Sequence, residues 1–137
     1  TKRRTLSDAD VTLFVQLSGY AGEDLFSDMV YLHQVAGHPK RLAPGALTLA
    51  VADGLIVGSG MLSGFAIALL GLGNVNFRAP VYAGDTVVVD IEVTKARAIR
   101  SKSDRGVVTT HQTVRNQHGT IVLEYDASRM LRKRSGN

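Results

Sequence analysis

Pro44-Gly45-Ala46-Leu47-Thr48-Leu49-Ala50-Val51-Ala52-Asp53-Gly54-Leu55-Ile56-Val57 decides how the rest of the chain is read. Proline is favoured in the first turn of a helix, where its missing N–H costs nothing. The residues after it are apolar on nearly every side, the mark of a helix that is buried rather than laid on a surface. The stretch sits inside a wider gap in charge: from Leu42 to Phe77 the only formal charge is Asp53. A membrane-spanning helix needs about 20 predominantly apolar residues. Here Gly54, Gly58, Gly60, Gly64, Gly71 and Gly73 interrupt the run, with Ser59, Ser63 and Asn74. Glycine at that density breaks a helix, so the gap reads as a segment packed within a protein or an oligomer. Gly58 to Gly73 reads as a glycine-broken second helix and a turn. Its glycines fit no phosphate-binding loop and are assigned to close packing.

Working outward, Ser7 is a suitable N-cap, and Asp8 and Asp10 place acid in the first turn of a helix. Val11, Phe14, Val15 and Leu17 follow at helical spacing, and Gly19 ends that helix. Tyr20 to Phe26 reads as an acidic loop, Ser27 as a second N-cap, and Asp28 to Val35 as a second helix ending at Gly37-His38-Pro39. After Gly73 the apolar period changes to two. Val87, Val89, Ile91 and Val93 alternate with Val88, Asp90, Glu92 and Thr94, as in a half-buried strand. A second strand runs from Val107 to Arg115. Asn116-Gln117-His118-Gly119 is a hairpin loop, and Ile121, Leu123, Tyr125, Ala127 and Leu131 share a face of a third strand. Helices come first and long antiparallel strands follow. The layout that buries the apolar helix is a curved antiparallel sheet wrapped around it, the hotdog arrangement of the α+β class. One domain spanning 1–137 is expected.

Composition narrows the function. Among 137 residues Lys plus Arg is 16 and Asp plus Glu is 12, a net charge of +4. Cys is 0, which removes disulfides, thiolate metal sites and cysteine nucleophiles together. The basic excess lies toward the ends, in Lys2, Arg3, Arg4 and in Arg129, Arg132, Lys133, Arg134, and reads as solvated tails. Nucleic-acid binding asks for a basic face with aromatic or base-reading residues, and aromatics are only 6%. No nucleic-acid or membrane partner is expected. Thr1-Lys2-Arg3-Arg4 runs into a polar stretch instead of an apolar leader core, so a cytoplasmic protein is expected. His111 and His118 have no metal-ligand spacing, and no metal is expected.

Several of these stretches together resemble the MaoC-like acyl-CoA dehydratases and hydratases, including the R-specific enoyl-CoA hydratases. They are Leu6-Ser7-Asp8-Ala9-Asp10, Leu17-Ser18-Gly19, Arg41-Leu42-Ala43-Pro44-Gly45, Ala52-Asp53-Gly54-Leu55, Phe77-Arg78-Ala79-Pro80-Val81, Gly84-Asp85-Thr86 and Asn116-Gln117-x-Gly119. The resemblance implies a hydratase or dehydratase acting at Cα–Cβ of an acyl-CoA or acyl-carrier thioester. It implies no cofactor beyond that thioester, and a homodimer or higher homo-oligomer. It places Gly45 N–H, at the start of the central helix, on the thioester oxygen, with Ala46 and Tyr20 as further substrate contacts.

The family's catalytic Asp and His do not map. Aligning Ser27-Asp28 with the residues after the motif histidine puts Phe26 at the His and Tyr20 or Ala21 near the Asp. Glu23 and Asp24, in the same loop, are the candidates to replace the Asp. Asp28 and His33 repeat the motif's spacing, but on one helix they point about 140° apart, and His33 is read as a surface or packing residue. Asp53 is the third candidate, because a carboxylate on an apolar helix must do chemistry or find a partner. Its reading is open between a catalytic acid and a structural one, capping a turn at Gly54 or meeting an arginine across a dimer interface. Pro44-Gly45 to Asp53 also resembles the stretch in which hotdog thioesterases carry their helix Asp, so a thioesterase using Asp53 is the alternative. A catalytically inactive acyl-thioester-binding subunit is the third reading. Gly37-His38-Pro39 with Pro44-Gly45 resembles the carrier-linked β-hydroxyacyl dehydratases. Ala50 stands at the acid position of that family and the intervening loop is shorter, so His38 receives no role on that basis.

Overall fold

The computed structural model describes residues 1–134; Ser135-Gly136-Asn137, the end of the expected domain, lie outside the described residues. The elements are β1 (Arg4–Thr5), α1 (Asp8–Ser18), a 3₁₀ turn (Tyr20–Gly22), α2 (Asp24–Ser27), α3 (Met29–Gln34), α4 (Gly45–Gly58), β2 (Ala66–Phe77), β3 (Thr86–Ile99), β4 (Lys102–Arg115) and β5 (Ile121–Arg132). The five strands form one antiparallel sheet in the order β1-β3-β4-β5-β2. Leu47, Val51, Ala52 and Ile56 of α4 pack into one cluster with Val87, Val89, Val114, Leu123, Tyr125 and Ala127 of the sheet. This is the hotdog layout expected from the sequence. Among the described residues no helix is long and apolar enough to cross a membrane.

Local chemistry explains most of the boundaries. Ser7 and Asp10 form a reciprocal capping box at the start of α1, and Gly19 closes it in the left-handed region at φ 82°. Pro44 is the N-cap of α4 and Gly45 its first helical residue. The Gly84-Asp85-Thr86 turn is held by Asp85, whose carboxylate accepts from Tyr82 N–H at 2.8 Å and from Gln117 Nε2 at 2.8 Å. Two of the stretches that carry the family resemblance thus meet at one nearly buried carboxylate.

Four expectations are corrected. The Tyr20–Phe26 loop is in fact the 3₁₀ turn and the start of α2. The next helix is capped by Asp28, not Ser27: the Asp28 Oδ1 accepts from Val30 and Tyr31 N–H. Residues 66–73, expected as helix and turn, are the first two thirds of β2. Every residue of β2 is exposed, so the second half of the charge gap is an apolar edge strand rather than packing for α4. Finally, α4 is not enclosed all round, since Ala50, Gly54, Val57 and Gly58 face outward.

Candidate active site

The N-terminus of α4 opens into a cavity of about 550 Å³ lined by Tyr20, His38, Gly45, Thr48, Phe77 and Arg78 among others. The first N–H groups of a helix have no carbonyl behind them to bond. In α4 the Pro44 carbonyl accepts from Leu47 N–H at 3.0 Å and Thr48 N–H at 3.1 Å. The Gly45 and Ala46 N–H groups precede these and, with the positive end of the helix dipole, suit an oxygen that develops negative charge. Glycine at position 45 leaves room for the Phe77 ring: an added Cβ would lie 2.8 Å from its Cε1, so a larger residue would have to displace the ring.

His38 is the imidazole in this cavity. Its Nδ1 lies 2.9 Å from the Tyr82 hydroxyl, which orients the ring and leaves Nε2 as the other functional atom. The His38 carbonyl is in turn bonded by His33 Nδ1 at 2.7 Å, and His33 is an exposed surface residue, one of the two roles expected of it. Sequence reasoning assigned His38 no function. The available signal was the Gly37-His38-Pro39 turn so close to the helix start.

The expected site residues divide into two sets. Tyr20, Gly45 and Ala46 line the same cavity. Glu23, Asp24 and Asp53 do not lie among its lining residues. Glu23 lines a neighbouring surface depression with Tyr20 and Phe26, and Asp24 opens α2. Tyr20 stacks between Phe14 and Phe26, with ring centroids 5.3 Å and 5.5 Å apart. Phe26, which the resemblance aligns with the family's catalytic histidine, makes an aromatic contact with Tyr20 that braces the loop.

Asp53 sits more than two turns along α4 from Gly45, about 12 Å away along the axis. Its Oδ1 accepts from the Arg129 guanidinium and from the Tyr125 hydroxyl at 3.2 Å. Burial, followed by the Asp53 charge, pushes the Tyr125 hydroxyl pKa up, which keeps it protonated as a donor. Arg129, expected in a solvated tail, is 7% exposed. The partner of Asp53 is thus an arginine of the same chain, in place of the Gly54 turn or the arginine across a dimer interface that its structural reading offered.

At the mouth of the cavity Arg78 Nε bonds Glu124 at 3.1 Å. Glu124 belongs to a polar cluster on the outer face of the sheet, where His111 Nδ1 meets Asp126 at 2.7 Å and Asn74 donates to Asp126 at 2.7 Å. The hydrogen bond to Asp126 raises the pKa of His111 above its ordinary value. Among the described residues no group of three or more His, Cys, Asp or Glu is placed to hold a metal ion.

Comparison with known proteins agrees with this fold. Residues 1–116 match the family model described as MaoC like domain. The chain is 32% identical over 136 residues to the β-methylmalyl-CoA dehydratase of Chloroflexus aurantiacus, covering 98% of this chain and 37% of that protein. It therefore spans little more than a third of that curated relative. Among solved structures it is similar to the monoamine oxidase regulatory protein of Archaeoglobus fulgius, at 29% identity and a TM-score of 0.85, covering 98% of this chain and 87% of the other. It also shares the fold of a Mycobacterium tuberculosis protein described as a double hotdog, at 22% identity and a TM-score of 0.82, covering 98% of this chain and 42% of the other. With the family model spanning most of its length, the chain belongs to the MaoC-like family.

Proposed function

We propose that the cavity binds an acyl-CoA or acyl-carrier thioester and adds water to, or removes it from, Cα–Cβ of the acyl chain. The observation that carries this reading is the meeting of the α4 N-terminus and His38 in one cavity. In the hydration direction, Nδ1–H of His38 donates to the Tyr82 oxygen and Nε2 takes a proton from water. The water oxygen attacks Cβ, and the Cα=Cβ electron pair shifts toward the thioester oxygen, giving an enolate. The Gly45 and Ala46 N–H groups stabilise that charge. Cα then takes the proton back from the imidazolium, so one residue serves as base and acid. The relative's name, a dehydratase of a CoA thioester, fits the same chemistry run in reverse.

The test is incubation of the pure protein with crotonyl-CoA, following enoyl absorbance and free thiol separately. Loss of enoyl absorbance without thiol is the expected result. Thiol release would return the thioesterase reading, and neither signal across chain lengths would leave a binding subunit.

The proposed unit is a homodimer or higher homo-oligomer joined at β2. Ile67, Leu69, Leu70 and Leu72 of this edge strand are 40–52% exposed. An apolar edge with unpaired backbone groups invites a second strand, and the mycobacterial structural neighbour carries two hotdog units in one chain. Leu70→Lys combined with Leu72→Lys is expected to halve the mass in sedimentation equilibrium if the unit is a dimer. An unchanged mass would place the interface elsewhere.

A further inference from the structure

Thr48 stands apart from every other polar group of the cavity. It is 2% exposed, it lines the cavity, and its Oγ1 has no hydrogen-bond partner among the described residues. A threonine inside a helix commonly returns its hydroxyl to the carbonyl one turn back. Here the Pro44 carbonyl is already taken by the Leu47 and Thr48 N–H groups. A buried hydroxyl without a partner is costly, and Leu42, Ala43, Ala46, Val81 and Val122, which line the cavity with it, offer only carbon from their side chains. Thr48 lies three positions after Gly45, which puts it on the same face of α4, about 4.5 Å deeper along the axis. In a 3-hydroxyacyl thioester the carbonyl oxygen and the Cβ oxygen are separated by a comparable span.

We propose that the Thr48 hydroxyl hydrogen-bonds the oxygen carried by Cβ of the acyl group, making the cavity selective for 3-hydroxyacyl thioesters over their plain acyl counterparts. The assignment rests on the thioester reading above, with the carbonyl oxygen on the Gly45 and Ala46 N–H groups. In hydration the same contact holds the incoming water against the face of the double bond. In dehydration it holds the departing hydroxyl. Thr48 has no titratable group to take the proton, which stays with His38.

Binding separates this from the reaction itself. In a His38→Asn background, used to suppress turnover, calorimetric titration compares 3-hydroxybutyryl-CoA with butyryl-CoA. The hydroxyacyl ligand is expected to bind about tenfold more tightly, the worth of one good hydrogen bond. Adding Thr48→Val, which keeps the shape and removes the hydroxyl, is expected to erase that preference without weakening butyryl-CoA. Adding Thr48→Ser, which keeps the hydroxyl, is expected to preserve it. A preference that survives Thr48→Val, or none in the parent, overturns the assignment. The crotonyl-CoA assay on the unaltered protein judges the hydratase reading independently. No turnover with the binding preference intact removes the reaction and keeps the contact. Turnover with a preference indifferent to Thr48→Val does the opposite.

Discussion

His38→Ala is expected to lower kcat for crotonyl-CoA hydration by about 10²- to 10⁴-fold, the usual worth of a positioned general base. KM should change far less, because the thioester oxygen and the carrier are held elsewhere. The melting temperature should barely move, since His38 is only half-buried and, among the described residues, its side chain bonds only Tyr82. Tyr82→Phe removes that orienting bond while leaving the imidazole in place. A smaller loss, about tenfold in kcat, is expected, because the hydroxyl fixes which ring nitrogen faces the substrate. Glu23→Gln and Asp24→Asn serve as the contrast. They belong to the loop where the family keeps its acid, yet neither lines the cavity, so each should leave kcat within about threefold. If the two loop variants abolish turnover and His38→Ala does not, the acid–base work belongs to the loop and the His38 mechanism is wrong.

The contrast between His38 and the loop acids shows where sequence reading stops. The central helix was legible because Pro44 marks its start and an unbroken apolar run follows, and the cores of strands β3 to β5 because their apolar residues repeat at 2, the period that strand geometry imposes. Strand β2 was not, because Ala66-Ile67-Ala68-Leu69-Leu70-Gly71-Leu72-Gly73 has no polar alternation to reveal a period. An edge strand apolar on both faces looks, in one dimension, like the helix beside it. Arg129 was misread for a different reason. Grouped with Arg132, Lys133 and Arg134 it looks like part of a basic tail. By parity it continues the inward series Leu123, Tyr125, Ala127, and that series placed it in the core. In the site, the helix start was legible from Pro44-Gly45. The imidazole was not, because His38 lies on a loop whose path into the cavity follows from tertiary contacts such as the Ala43 N–H to Val81 carbonyl bond at 2.8 Å.

Arg129→Met is expected to destabilise the protein by about 3 kcal/mol, the low end of what breaking a buried ion pair costs. The substitution leaves Asp53 with the Tyr125 hydroxyl alone, at the inner face of the sheet. Asp53→Leu should cost a similar amount for the mirror reason: a guanidinium at 7% exposure would lose its counter-charge. The double variant Asp53→Leu with Arg129→Met removes both charges and keeps the apolar volume. Most of the stability should return, giving a coupling of about 2 kcal/mol or more between the two positions. Urea unfolding with unchanged m-values is the measurement, and strictly additive losses would deny the pair. The same variants decide the chemical question that Asp53 raised. A carboxylate bonded by an arginine and a tyrosine, about 12 Å along α4 from Gly45, is placed to pin the helix to β5, not to attack a thioester. The double variant should therefore keep its crotonyl-CoA turnover at temperatures where it is folded. Loss of turnover in a fully folded double variant would mean that the one charge between Leu42 and Phe77 acts in catalysis after all.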